Sequence, residues 1–253
     1  MGGGCQRQRV HQCSGCTGLL SPGRNVRQNA RVIPTLLRYP SAALLGVQLL
    51  GIVLYPWMEA TAGGRAAFAL FGILVLGIAL RMVRSSPGQT WIAVLLALPI
   101  AALVVLNVLA PDARLAVLTA GLESAFYFYA AGSLIAYMLQ DDVATTDEFF
   151  AVAATFTLLA WAFAYAYVVC DALLPGSFTA AVNPEAPRTW MELLFLSFTT
   201  LSGVGLGDIL PLLPMARALV MLEELAGLMF IALVVSRLVG LMTLARQKNQ
   251  APR

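Results

Sequence analysis

Charge is scarce in this sequence. Of its 253 residues only 11% are Asp, Glu, Lys or Arg, while 59% are hydrophobic. A soluble domain averages about 25% charged residues, so an ordinary globular enzyme is excluded. Histidine is nearly missing: His11 is the only one. It lies outside every apolar run, which excludes a membrane electron carrier with histidine-ligated haem. No paired acids stand beside a nucleophile, so there is no catalytic constellation and no enzyme activity is expected. Cysteine is limited to Cys5, Cys13, Cys16 and Cys170. Three of the four lie in a polar arm, which is not a disulfide framework. That arm has no apolar run, so no signal peptide is expected, and Gln6 stands where a myristoylation signal has Ser or Thr. A net charge of +3 gives no reason to expect a nucleic-acid partner.

Long apolar runs are present instead. Residues 1–38, rich in Gly, Gln and Arg, are expected to form a cytoplasmic arm without fixed structure. Six apolar segments follow, at Ser41–Trp57, Ala66–Val83, Trp91–Ala110, Leu115–Leu139, Phe149–Cys170 and about Met215–Leu244. Each has the roughly 17–25 residues that a spanning helix requires. The fold class is therefore an all-α membrane protein. Four peripheral transmembrane helices occupy 39–140, a second module covers 148–244, and 245–253 form a short cytoplasmic tail. Pro99 lies inside the third span and is a candidate kink, and Ser85–Gly88 supply a turn before that span. Thr145 and Glu148 have capping-box spacing, as do Thr189 and Glu192. The apolar segment that starts at Trp190 ends by Leu201. It is too short to span and is read as re-entrant.

Basic residues set the orientation. With the N-terminus cytoplasmic, twelve Lys and Arg lie inside: six in the arm, then Arg81, Arg84, Arg237, Arg246, Lys248 and Arg253. Four lie outside: Arg65, Arg114, Arg188 and Arg217. A multi-pass protein of the cell membrane with both termini cytoplasmic is expected, the lipid bilayer being its first partner. Segment 173–214 then enters from the outside.

That segment contains Thr199–Leu210, TTLSGVGLGDIL. Non-helical backbone at membrane depth is tolerated only where it is buried in protein or lines a water-filled path. Gly203, Gly205 and Gly207 alternate with Ser202, Val204 and Leu206. Glycine permits positive φ, which lets successive carbonyls face one way. Bare carbonyls suit a cation that has shed its water. The stretch Ser197–Pro211 resembles the pore signature of potassium channels. Leu206 in place of the signature tyrosine is similar to one filter of some tandem two-pore-domain potassium channels. The resemblance covers roughly Phe149–Leu244, and it is specific in the filter and generic elsewhere.

The resemblance implies an outer helix, a pore helix, a filter and an inner helix, with K⁺ as the transported ion and no cofactor. The ion filter would comprise Ser202, Gly203, Val204, Gly205, Leu206 and Gly207, the Ser202 hydroxyl facing the pore helix. Asp208 would stand at the outer mouth, and Thr199 and Thr200 would end the pore helix. Gly227 matches the inner-helix gating hinge, so Gly227→Ala is expected to change open probability and leave selectivity intact. One chain holds one filter strand, so the resemblance implies a homotetramer. There are two departures. Gly203 replaces a threonine and loses its hydroxyl, and Leu206 loses the phenol that braces the filter, so weaker discrimination against Na⁺ is expected. No Lys or Arg occurs between Arg114 and Arg188. The front helices thus lack the arginine ladder of a voltage sensor, and steep voltage gating is not expected. Nine residues follow Leu244, so no cytosolic ligand-binding domain is expected.

Three acids lie within apolar helices and are functional candidates for that reason. Glu123 has no evident partner and is read as a packing residue. Of Glu223 and Glu224, one is expected to brace the filter near Thr199 or Thr200, the other to face the cavity or a neighbouring chain. The pattern leaves open which does which. Cys5, His11, Cys13 and Cys16 include one Cys-x-x-Cys pair, but the other spacings fit no standard zinc site, and zinc is not expected. A phosphate-cradling loop fails on its glycine spacing, and a plain break between two packed helices leaves Asp208 without a purpose. Two rival functions remain. A secondary cation carrier would show paired interruptions, and here one segment alone is interrupted. A non-conducting, channel-like assembly subunit is the other, made conceivable by Gly203.

Overall fold

The computed structural model describes residues 40–59, 61–85, 90–140 and 146–250. The arm with Cys5, His11, Cys13 and Cys16, residues 86–88 of the turn, Thr145 of the first expected capping box and residues 251–253 lie outside them. The apolar runs fold as helices where expected, all but the third extended slightly beyond the run at both ends. They are α1 (Pro40–Glu59), α2 (Ala62–Ser85), α3 (Thr90–Leu109), α4 (Ala113–Gln140), α5 (Thr146–Leu173), the short α6 (Trp190–Leu201) and α7 (Pro214–Gln250). Two three-residue strands, β1 (Phe178–Ala180) and β2 (Ile209–Pro211), flank α6 in the chain. α1 and α3 run through Pro56 and Pro99 as single helices.

The chain is an all-α membrane protein. Among the described residues, five helices are long and apolar enough to cross a bilayer. The expectation of six is met only in helix number. α2 has 24 residues, but its apolar stretch is Ala67–Met82, because Arg65, Arg81 and Arg84 fall within its end turns. α7, with 37 residues, is about 55 Å long at 1.5 Å per residue, against a hydrocarbon layer of roughly 30 Å. It therefore extends well past its apolar part.

α5 is the central helix. Its apolar window is 67% buried, whereas that of α7 is 17% buried. α1 packs on α2, α2 on α3, α3 on α4, α4 on α5 and α5 again on α1, so the four front helices form a ring closed by α5. Alanines at 151, 154, 160, 162 and 164 are fully or almost fully buried. Small residues let helix backbones approach closely where lipid supplies no hydrophobic drive. Trp161 and Tyr167 fill the remaining space. Ser124 Oγ, on α4, donates to the Ala162 carbonyl at 2.9 Å.

One aromatic residue fastens α6 to this ring. The rings of Tyr55 from α1, Phe68 from α2, and Trp161 and Tyr165 from α5 stand 5.1–5.8 Å from Trp190. Trp190 is the first residue of α6, so the start of the short helix is set by three of the long ones. Glu123, for which the sequence offers no partner, accepts a hydrogen bond from the hydroxyl of Tyr165 in the same cluster.

Candidate functional site

The site begins with the capping of α6. Glu192 N–H donates to Thr189 Oγ1 at 3.3 Å, and Thr189 N–H donates to Glu192 Oε2 at 2.7 Å. This is the reciprocal box expected from Thr-x-x-Glu. The Arg188 side chain beside it is 1% exposed and pairs with Glu192 at 3.3 Å. It also donates to the Asn183 carbonyl at 2.6 Å and to the Ala186 carbonyl, which secures the loop that carries Asn183 at φ 53°. Thr189→Ala is expected to lower stability by about 1 kcal/mol, and Thr189→Ser to stay close to the parent. Thermal unfolding in detergent measures both.

α6 ends at Ser202, whose Oγ donates to the Thr199 carbonyl at 3.3 Å. The next three amides also turn back. Gly203 N–H donates to Thr200, and Val204 and Gly205 N–H both donate to Thr199, at 2.9–3.0 Å. Thr199 and Thr200 are buried, and Thr199 Oγ1 donates to the Leu196 carbonyl at 2.9 Å. Gly203, Gly205 and Gly207 have φ of 74°, 56° and 71°, while Val204 and Leu206 between them do not enter the positive region. Side chains with a Cβ rarely adopt such values, and such an alternation lets successive carbonyls face one way. Among the described residues no backbone N–H donates to the carbonyls of residues 203–207. Ser202 to Asp208 are all exposed in the single chain.

The far end of this ribbon is also pinned. The Asp208 carbonyl accepts from Ala181 N–H at 3.0 Å. Beyond it β2 pairs antiparallel with β1, Phe178 opposite Pro211 and Ala180 opposite Ile209. Strands of three residues carry too little alternation to be read from sequence, so this pairing was not anticipated.

Behind α6, Glu223 of α7 is fully buried. Its carboxylate accepts from the Tyr167 hydroxyl of α5 and the Ser197 hydroxyl of α6. Ser197 Oγ also lies 2.8 Å from the Ala160 carbonyl, so its single hydrogen is shared between two acceptors. One acid thus joins three helices. The choice between the neighbouring acids is decided: Glu223 points inward and Glu224 is exposed. Glu223 meets Ser197, two residues before Thr199 and three before Thr200, the threonines expected to receive it. Tyr167 and Ser197 were not singled out in the sequence, where a Tyr or a Ser in an apolar helix has no distinguishing pattern. Gly227, one turn further along α7, lies against the backbone of Leu201. A Cβ there would stand 2.9 Å from the Leu201 carbonyl carbon and closer still to its oxygen.

A short capped helix that ends in a ribbon of bare carbonyls, held between two long apolar helices, is an arrangement tolerated at membrane depth where backbone lines a water-filled path. Residues 152–243 match a family model described as an ion channel. That model describes a two-helix ion-channel domain found in potassium channels. The matched region runs from the first turns of α5 through most of α7. No curated protein and no solved structure matches the chain.

Proposed function

We propose that this protein is a passive, potassium-conducting channel of the cell membrane, assembled as a homotetramer. The ribbon at residues 203–207 carries the reading: the amides of Gly203, Val204 and Gly205 are tied back to α6, and among the described residues no backbone N–H donates to its carbonyls. In this reading four copies converge on one axis, and their carbonyl oxygens replace the hydration shell of K⁺ at successive sites. The Asp208 side chains, one per copy, ring the outer mouth and raise the local cation concentration. The uncovered face of α7, with Met221, Leu222, Leu225, Leu228 and Met229 exposed, supports the same assembly. These residues recur at helical spacing on the side away from α6. The proposal retains six membrane passages, cytoplasmic termini and gating that is not steeply voltage-dependent.

Gly203 bears on selectivity. Its φ of 74° disfavours the threonine that the resemblance would place there, because a β-branched side chain is strained in that region. The innermost site then offers a carbonyl without a hydroxyl. Purified protein in liposomes is expected to take up ⁸⁶Rb⁺ and to give single-channel currents, with weaker preference for K⁺ over Na⁺ than the full signature provides. Saturating uptake with counterflow would instead mark a carrier. No uptake at all would mark a non-conducting subunit.

A further inference from the structure

The first turn of α5 carries two adjacent acids that hold two different helices. Asp147 takes the start of α1: Ser41 N–H donates to Oδ1 at 3.3 Å, and Ser41 Oγ donates to Oδ2 at 2.9 Å. Ser41 is fully buried. A carboxylate placed there satisfies a free amide of the helix end and meets the positive end of its dipole. One residue on, Glu148 Oε1 accepts from Nε and Nη2 of Arg237, on α7. Both side chains are largely buried, 13% and 12% exposed.

The surroundings of this ion pair are apolar. It borders a cavity of about 20 Å³, room for roughly one water, lined by Met138 of α4, Phe149 and Val152 of α5, and Leu233 and Val234 of α7. The second carboxylate oxygen, Glu148 Oε2, is buried and has no hydrogen-bond partner among the described residues. Removing one partner of such a pair leaves an uncompensated charge in apolar surroundings, so the pair ties α7 to α5 through Glu148 Oε1. Arg237 lies about three turns beyond Gly227, in the half of α7 remote from the ribbon.

We infer that the first turn of α5 is a clasp on the inner helix. The Glu148–Arg237 pair sets how closely the remote half of α7 lies against α5. The Asp147–Ser41 bonds anchor the same turn to α1, so α7 closes against a fixed point of the front ring. This rests on the channel reading, in which displacement of α7 alters conduction.

The test uses the full chain in liposomes. Glu148→Arg and Arg237→Glu each put like charges in contact, and each is expected to change ⁸⁶Rb⁺ uptake by roughly fivefold or more, in the same direction. Their combination restores the pair with exchanged signs and is expected to return uptake to near the parent rate, with ion preference constant throughout. Single variants that match the parent, or a combination as altered as either one, would overturn the clasp. A second measurement does not depend on conduction. With Glu148→Cys and Arg237→Cys in a chain whose four native cysteines are replaced by serine, a short bifunctional thiol reagent is expected to bridge α5 to α7, and not when either introduced cysteine is present alone. If the parent passes no ion, the channel reading fails while bridging still reports the clasp; absence of bridging removes the clasp whatever the flux.

Discussion

Gly227→Ala is expected to abolish ion uptake and to lower stability by about 3 kcal/mol or more. The added methyl would meet the Leu201 carbonyl group, with its carbon 2.9 Å and its Cα 3.0 Å away. Neither partner can rotate aside, because the obstacle is backbone at the last turn of α6. Relief requires α7 to move off α6 just below the ribbon, whose first amides are bonded to Thr199 and Thr200. Thermal unfolding in detergent, paired with ⁸⁶Rb⁺ uptake, separates this role from that of a hinge. A glycine that serves only as a hinge would give parent-like stability and an altered open probability, and that outcome would defeat the packing account.

Glu223→Ala is the second large change, expected to cost about 3–5 kcal/mol. Truncation leaves the hydroxyls of Tyr167 and Ser197 without their shared acceptor in a fully buried site. It also opens a void where three helices meet. Glu223→Gln separates chemistry from volume. Its amide oxygen accepts from Tyr167 and its amide nitrogen donates to Ser197, which is then free to donate to the Ala160 carbonyl at 2.8 Å. The glutamine chain is therefore expected within about 1 kcal/mol of the parent. Equal losses for alanine and glutamine in thermal unfolding would show that the hydrogen bonds do not carry the effect. Because Ser197 lies on α6 close to the ribbon, the alanine chain is also expected to lose preference for K⁺ over Na⁺ where it still conducts.

Much of the fold was legible in the sequence because hydrophobic runs and cap signals are local. The apolar segments marked their helices, and Thr189 with Glu192 placed the start of α6 near Trp190, where it lies. The glycine alternation was legible for the same reason: positive φ at 203, 205 and 207 is a property that each glycine permits by itself. The second span, read as Ala66–Val83, has its apolar stretch at Ala67–Met82 within a helix of 24 residues, because arginines occupy the ends.

What the sequence by itself determined is the set of elements: which segments are helical and apolar, where the short helix begins, and where the backbone departs from helix. What only the tertiary structure decided is which side chains meet. Glu223 rather than Glu224 turns inward because α7 is rotated to present it to Tyr167 and Ser197. Glu123 finds Tyr165, Trp190 gathers rings from three helices, Gly227 lies on Leu201, and Glu148 reaches Arg237 across 89 positions. These contacts depend on the rotation and approach of whole helices, which packing across the ring fixes jointly and which no window of the sequence contains.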